Sequence, residues 1–273
     1  MSSYLKKIDL LVANEPDPAF ARRARIILRN LSLRPDQKVL DAGCGRGFYL
    51  KALLTLEPKL QIYGLDLNPK YLAVAEKSVS KASVKLIAGD LNHLPFADNF
   101  FDRIIASEIL EHIPDDRQAL KELYRVLKPN GRLVLTVPNQ NYPLAWDPLN
   151  WILEKTCRRH VPANIWWLAG IWADHVRLYS LADLKAKVCL IGFKIKKSWS
   201  VTHYCFPLAH FWLYGLGKNL VERGWFSDCN RFLWPRKESW LSKILLFPLR
   251  AIDCLNQEEN LSSSVNLLLL LTK

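Results

Sequence analysis

The sequence predicts an α/β fold, a doubly wound sheet of seven strands with helical, tryptophan-rich insertions after strands five and six. Three observations predict it. Short β-rich runs alternate with helical patterns up to Tyr142, the signature of a parallel sheet with crossover helices. A glycine-rich turn stands where the first of those strands meets its helix. Beyond Tyr142 the composition changes, and all ten tryptophans lie between Trp146 and Trp240.

Taken in order, residues 1–35 form an N-terminal helical segment in which Pro18–Leu31 reads as helix, with Asp17 as cap and Pro18 in the first turn. Residues 36–141 hold five strands: Lys38–Ala42, Gln61–Leu65, Val84–Ala88, Phe101–Ala106 and Arg132–Val137. Asp115–Leu127 is the clearest helix, because Leu120, Leu123, Tyr124 and Leu127 recur at three and four residues. It stops at Lys128-Pro129-Asn130-Gly131, a turn that feeds the next strand. Residues 142–273 contain the insertions and the last two strands of the same sheet, Phe193–Val201 and Val265–Thr272. Ser180–Leu190 is the helix before the first of these.

Composition narrows the partners. Half of the 273 residues are hydrophobic, enough for a sizeable core, and the formal charge is +12. That charge suits nucleic acid, anionic lipid or an acidic small molecule, and equally a basic surface with no partner. The six cysteines are scattered with no C-x-x-C pair, which fits idle thiols in a reducing compartment. Asp9, Glu15 and Asp17 interrupt the N-terminus, so it does not read as a signal peptide, and no apolar run is long enough for a simple transmembrane helix. The expected location is the cytoplasm, with peripheral membrane contact as an extension of it. No interleaving of aromatic and basic residues suggests nucleic acid.

The chemistry centres on VLDAGCGRG, with Asp41, Gly43, Cys44, Gly45 and Gly47. Glycines serve where a backbone must turn tightly and approach a ligand closely. A dinucleotide fingerprint would place its last glycine where Phe48 stands, and Asp41 would oppose a pyrophosphate. A carboxylate there suits a cationic ligand instead. The second strand ends in GLDLN, where Asp66 can take both hydroxyls of a ribose and Leu67 follows it. The third ends in AGDL, where Asp90 and the Leu91 amide can read an adenine ring. Each acid alone is a common turn former or helix cap, but three at the carboxyl ends of consecutive strands line the crevice where open α/β sheets bind ligands.

The stretches VLDAGCGRG, GLDLNP, AGDLNHLPFADNFFD, ASEILEHIPD and LKPNGRLVLTVPN, in this order, resemble the class I S-adenosylmethionine-dependent methyltransferases, particularly the group that includes ubiquinone and menaquinone methyltransferases. The resemblance covers about the first half of the chain. It implies a Rossmann-like fold, S-adenosylmethionine as cofactor, and residues 36–141 as the core that binds it. By resemblance Asp41, Gly43, Gly45 and Gly47 hold the methionine part, Asp66 the ribose, and Asp90 and Leu91 the adenine, with Cys44 and Leu67 also among the cofactor-binding residues. Ser107 then approaches the activated methyl. Ser107-Glu108-Ile109-Leu110 stands where amino-group methyltransferases of bases carry an Asn/Asp-Pro-Pro-Tyr-like cluster, which argues against a nucleobase substrate.

Glu108, Glu111 and His112 form E-x-x-E-H; on a helical turn they share a face and are the candidate ligands if a divalent metal is used. The plain alternative, a helix start with local hydrogen bonds and no metal, is the reading adopted. Of the histidines near the insertions, His175 is the first choice for a general base and His203 the second. Leucines, aromatics and cations mix in Tyr204–Tyr214 and Trp240–Arg250, which fits a lid admitting a small hydrophobic or lipid-like acceptor from a membrane surface. An ordinary helical cap or a dimer interface would use the same residues. The expected activity is therefore O- or C-methylation of such an acceptor. The alternatives are a soluble methyltransferase of a polar metabolite or glycan, and a non-catalytic membrane-associated scaffold. Oligomeric state is not legible.

Overall fold

Period-two alternation in the strands decides the layers of this molecule. In β1 (Lys38–Ala42), Val39 faces one core and Leu40 the other; in β5 (Leu127–Pro138), Leu133 and Val134 divide the same way. The computed structural model describes residues 3–79, 84–165, 168–225, 229–232, 240–256 and 263–273. Its single sheet also contains β2 (Gln61–Asp66), β3 (Val84–Ala88), β4 (Phe101–Ser107), β6 (Lys194–Val201) and β7 (Asn266–Thr272). The strand order is β3-β2-β1-β4-β5-β7-β6, with β7 antiparallel to both neighbours and every other pairing parallel. The order reverses between β1 and β4, so a ligand crevice is expected outside their carboxyl ends.

One face is covered by α1 (Ser3–Leu11), α2 (Pro18–Asn30), α3 (Phe48–Leu56) and Ala75 of α4 (Pro69–Ser78). The other is covered by α5 (Asp116–Val126) and, beyond α6 (Pro148–Cys157), by α7 (Leu181–Ile191). Helix starts follow the expected capping chemistry: Asp17, Asn68, Asp115, Asp147 and Ser180 each accept a backbone N–H of the first turn. α1 precedes the helix expected at Pro18–Leu31; it packs through Ile8 and Leu11, and the Tyr4 hydroxyl donates to the Leu28 carbonyl at 3.0 Å. The turn expected at residues 128–131 is instead part of β5. Leu127 is fully buried and pairs with Phe101, and the register then shifts before Arg103 meets Arg132, with Asn130 at φ +62°. The buried leucine holds the chain against the sheet and leaves the proline and glycine as an irregularity within the strand.

The insertions differ from each other. After β5, Tyr142, Trp146 and Ile171 form a small buried core with Ala209 and Val265, flanked by Trp151 and Trp172. Trp166 and Trp167 lie outside the described residues. After β6 come a π-helical turn (Phe211–Gly217), α8 (Lys218–Glu222) and α9 (Trp240–Asp253). Here Trp212, Trp225 and Trp240 are exposed. Among the described residues no helix is long and apolar enough to cross a membrane.

Candidate active site

The glycine turn after β1 is shaped by three left-handed residues, Gly43 (φ +78°), Gly45 (φ +51°) and Gly47 (φ +89°). The backbone N–H groups of Gly43 and Cys44 both donate to the Leu65 carbonyl, at 2.8 and 2.9 Å, and tie the turn to β2. A Cβ on Gly47 would come within 3.0 Å of the Ala75 Cβ, so close packing of the turn on α4 adds to the backbone constraint there. A Cβ on Gly45 would meet nothing within 4 Å; that side of the turn is open for a ligand.

Asp41 lies beneath this turn at 1% exposure, and its Oδ2 has no hydrogen-bond partner. Burial, with the Asp66 charge adding to it, pushes the carboxyl up to about 8. A buried carboxylate in that state favours a cation. The Asp66 carboxylate accepts the Gly45 N–H at Oδ2 and the Asn68 N–H at Oδ1, both at 2.8 Å. It thus braces the turn, and each oxygen keeps a lone pair for a ligand hydroxyl. Leu67 beside it is exposed. Asp90 accepts the Asn92 N–H at 2.9 Å and is exposed, whereas the Leu91 side chain is buried in the core beneath α5, leaving its backbone as the group to offer a base. Cys44 is buried, and burial raises its thiol above the ordinary range, which disfavours the thiolate. These residues and their chemistry fit S-adenosylmethionine, whose sulfonium and ammonium are cationic.

At the end of β4, the Ser107 hydroxyl lies 3.1 Å from Thr136 Oγ1 and 3.4 Å from the Tyr49 hydroxyl. Thr136 donates to Glu108 Oε1 at 2.8 Å; Glu108 Oε2 accepts from Asn266 at 2.8 Å and faces Arg23 at 3.4 Å. Sequence reading did not select Tyr49, Thr136, Arg23 or Asn266. Only Tyr49, two residues past Gly47, carried a positional hint; the others arrive from strands and a helix distant in sequence.

That network corrects the grouping of Glu108 with Glu111 and His112. Glu108, at φ +52°, turns toward Thr136 and Asn266, because the chain leaves β4 in a left-handed step before the short 3₁₀ turn Leu110–His112. Glu111 and His112 are joined instead by His175, the three ligand-type atoms lying within 4.8 Å of one another. Glu111 is fully buried, and neither carboxylate oxygen accepts a hydrogen bond. Burial, aided by Glu108, raises its carboxyl well above the ordinary value. The His175 Nε2 is 4.0 Å from Glu111 Oε1, and burial, aided by His112, lowers this imidazole to about 4. His203, the second candidate base, is kept elsewhere: it is buried, its N–H donates to Asn256 at 2.7 Å and its Nδ1 bonds the Ser263 carbonyl.

A cavity of about 490 Å³ adjoins the outer side of the glycine turn at Arg46. Tyr71, Asp17 and Arg231 border it, and Leu213, Leu220, Leu246 and Leu249 from the second insertion supply apolar lining. The Arg46 guanidinium stands 5.6 Å from the ring centres of both Tyr71 and Phe232.

Carboxylates at the ends of three adjacent strands, a left-handed glycine turn and this sheet order make the sheet similar to that of class I, S-adenosylmethionine-dependent methyltransferase domains. A family model described as a methyltransferase domain matches residues 40–135. Among curated relatives, the demethylmenaquinone methyltransferase of Geobacillus sp. (strain WCH70) is 36% identical over 117 residues, 41% of this chain and 50% of that protein. The demethylmenaquinone methyltransferase of Staphylococcus aureus (strain JH9) is 33% identical over 142 residues, 51% of this chain and 58% of that one. The chain thus matches only about half the length of these relatives. Two solved structures share the fold. Phosphoethanolamine N-methyltransferase 2 of Haemonchus contortus, in complex with S-adenosyl-L-methionine, aligns at TM-score 0.58 and 19% identity, over 98% of this chain and 56% of that one. A SAM-dependent methyltransferase of Archaeoglobus fulgidus aligns at TM-score 0.52 and 19% identity, over 93% and 92%.

Proposed function

We propose that this chain transfers a methyl group from S-adenosylmethionine to an oxygen or carbon of a small hydrophobic or lipid-like acceptor. The observation that carries the reading is Asp41: a buried carboxyl with Oδ2 unpartnered beneath an open glycine turn, with Asp66 and Asp90 at the ends of the next two strands. The cofactor supplies an already activated methyl. The chain's own residues then bind, orient and exclude water, a positioning effect of roughly 7–11 kcal/mol in favourable cases. Asp41 and the turn would hold the cationic end, Asp66 the ribose, and Asp90 with the Leu91 backbone the adenine. Ser107, fixed by Thr136 and Tyr49, would border the methyl.

The apolar cavity beside Arg46 supports a hydrophobic acceptor, as do relatives named for a quinone-type substrate. α9 supports delivery from a lipid surface. Its buried Ser242 and Leu246 turn to the cavity, while Trp240, Ile244 and Phe247 at 60–72% exposure form an apolar outer stripe flanked by Lys243. The first test is calorimetry of S-adenosylmethionine binding to the wild type and Asp66→Ala. Micromolar binding, weakened at least about tenfold in the variant, is expected, since lost hydrogen bonds to a charged group cost about 1.5–3 kcal/mol. No binding by folded wild-type protein would end the reading; binding opens a screen of quinone and isoprenoid acceptors.

A further inference from the structure

We propose that the hydroxyls of Tyr49, Ser107 and Thr136 form a one-way hydrogen-bond chain, which makes this end of the site hold a charged sulfonium and release the neutral sulfide left after transfer. The inference rests on the cofactor reading above, in which Ser107 borders the methyl. The three residues come from α3, β4 and β5, and Ser107 and Thr136 are register partners on neighbouring strands.

Counting protons gives the chain its direction. Glu108 Oε1 is a carboxylate oxygen that only accepts, so its 2.8 Å contact takes the single proton of Thr136 Oγ1. The Thr136 oxygen is then an acceptor, taking the Glu108 N–H at 3.2 Å and the Ser107 hydroxyl at 3.1 Å. With its proton committed there, Ser107 accepts from the Tyr49 hydroxyl at 3.4 Å. Burial pushes that phenol up to about 12, so it keeps a proton to give. Every hydroxyl proton points toward Glu108. What Ser107 and Tyr49 have left for a ligand is lone pairs alone.

The far end is anchored against reversal. Glu108 Oε2 accepts from the Asn266 side-chain amide at 2.8 Å and faces Arg23 at 3.4 Å, so two donors hold an oxygen on that side. The left-handed backbone of Glu108, at φ +52°, is the unusual conformation that brings its carboxylate to Thr136. Thr136 is fully buried, and the Tyr49 ring stands edge-on to Phe48 with ring centres 5.2 Å apart. In so dry a setting, fixed hydroxyl dipoles act on a charge more strongly than in water. A sulfonium gains from lone pairs aimed at it. When the methyl leaves, the electron pair of the broken S–CH3 bond stays on sulfur, and the resulting thioether has no charge for the chain to hold.

Calorimetry with S-adenosylmethionine and S-adenosylhomocysteine in parallel tests this, because the two differ by that methyl and its charge. Thr136→Val keeps the shape but removes the acceptor, freeing the Ser107 proton to turn toward the ligand. In Glu108→Gln, Asn266 and Arg23 hold the amide oxygen, which turns its NH2 group to Thr136 and reverses the chain. Each variant should weaken S-adenosylmethionine relative to S-adenosylhomocysteine by about fivefold, the net worth of one hydrogen bond, and Tyr49→Phe should shift the ratio in the same direction. Circular dichroism establishes folding, and Glu108→Gln carries the test should Thr136→Val not fold. An unchanged ratio in the folded variants, whether both ligands weaken equally or neither does, would overturn the chain while leaving the cofactor reading intact. A folded wild type that binds neither ligand would end both.

Discussion

At the scale of single residues, the site is governed by carboxyl groups removed from water. Asp41 is raised to about 8 by burial and by Asp66, so in the free protein it is mostly protonated below that pH. A sulfonium or ammonium beside it favours the ionised form. Binding below about pH 8 must then release a proton, and affinity should climb by up to about tenfold per pH unit before levelling off above it. Calorimetry in buffers of different ionisation enthalpy reads the proton directly. Asp41→Asn should flatten the pH dependence; a flat profile in the wild type would remove Asp41 from contact with the cofactor. Glu111 is likewise removed from water: burial, aided by Glu108, raises its carboxyl, and among the described residues neither oxygen accepts a hydrogen bond.

At the scale of elements, the first insertion is organised by the cap of α6. Asp147 accepts the Asn150 N–H at Oδ1; its Oδ2 takes the Asn150 side-chain amide at 2.8 Å and the Ile171 N–H at 2.9 Å. The Asn150 Oδ1 in turn accepts the Val161 N–H at 2.8 Å. This buried knot fixes the insertion around Gly170, which has φ +56° and whose Cβ, if present, would fall 1.8 Å from Asp147 Oδ2. Gly170→Ala should therefore break the knot and leave buried polar groups unpaired, at about 1–3 kcal/mol each. A drop of several degrees in the thermal midpoint is expected, since about 1 kcal/mol shifts a domain of this size by roughly 2–4 °C. An unchanged midpoint would mean that the insertion contributes little to global stability.

At the scale of the whole molecule, a charge of +12 coincides with the exposed stripe of Trp240, Ile244 and Phe247 on α9. An amphipathic element of this kind gains from both buried apolar area and attraction to anionic lipid. Co-flotation with vesicles containing phosphatidylserine should be seen at low salt and should diminish as screening shortens the electrostatic reach. A triple change of Trp240, Ile244 and Phe247 to serine should abolish it while leaving cofactor binding intact. If the wild type never floats, or the triple variant floats equally well, the stripe has another occupant, such as a second copy of the chain.

Much of the fold was legible because it rests on local regularities. Strand alternation, capping residues such as Asp17, Asp115 and Ser180, and the glycine turn after β1 are short-range signals, and the structure has them where the sequence suggests. The acids of that turn and of the next two strand ends were legible for the same reason, since each stands at a fixed offset from its strand. The grouping of residues from distant segments was not. E-x-x-E-H suggested Glu108, Glu111 and His112, yet a left-handed step at Glu108 sends that side chain to Thr136 and Asn266 and leaves His175 to complete the trio. The sequence by itself determined the sheet, its cofactor-type turn and the change of character after Tyr142, because these follow from backbone geometry and hydrophobic period. Only the tertiary structure decided which aromatic residues are core and which face outward, and which acids meet which histidines, because burial and side-chain partners depend on elements distant in sequence being packed side by side.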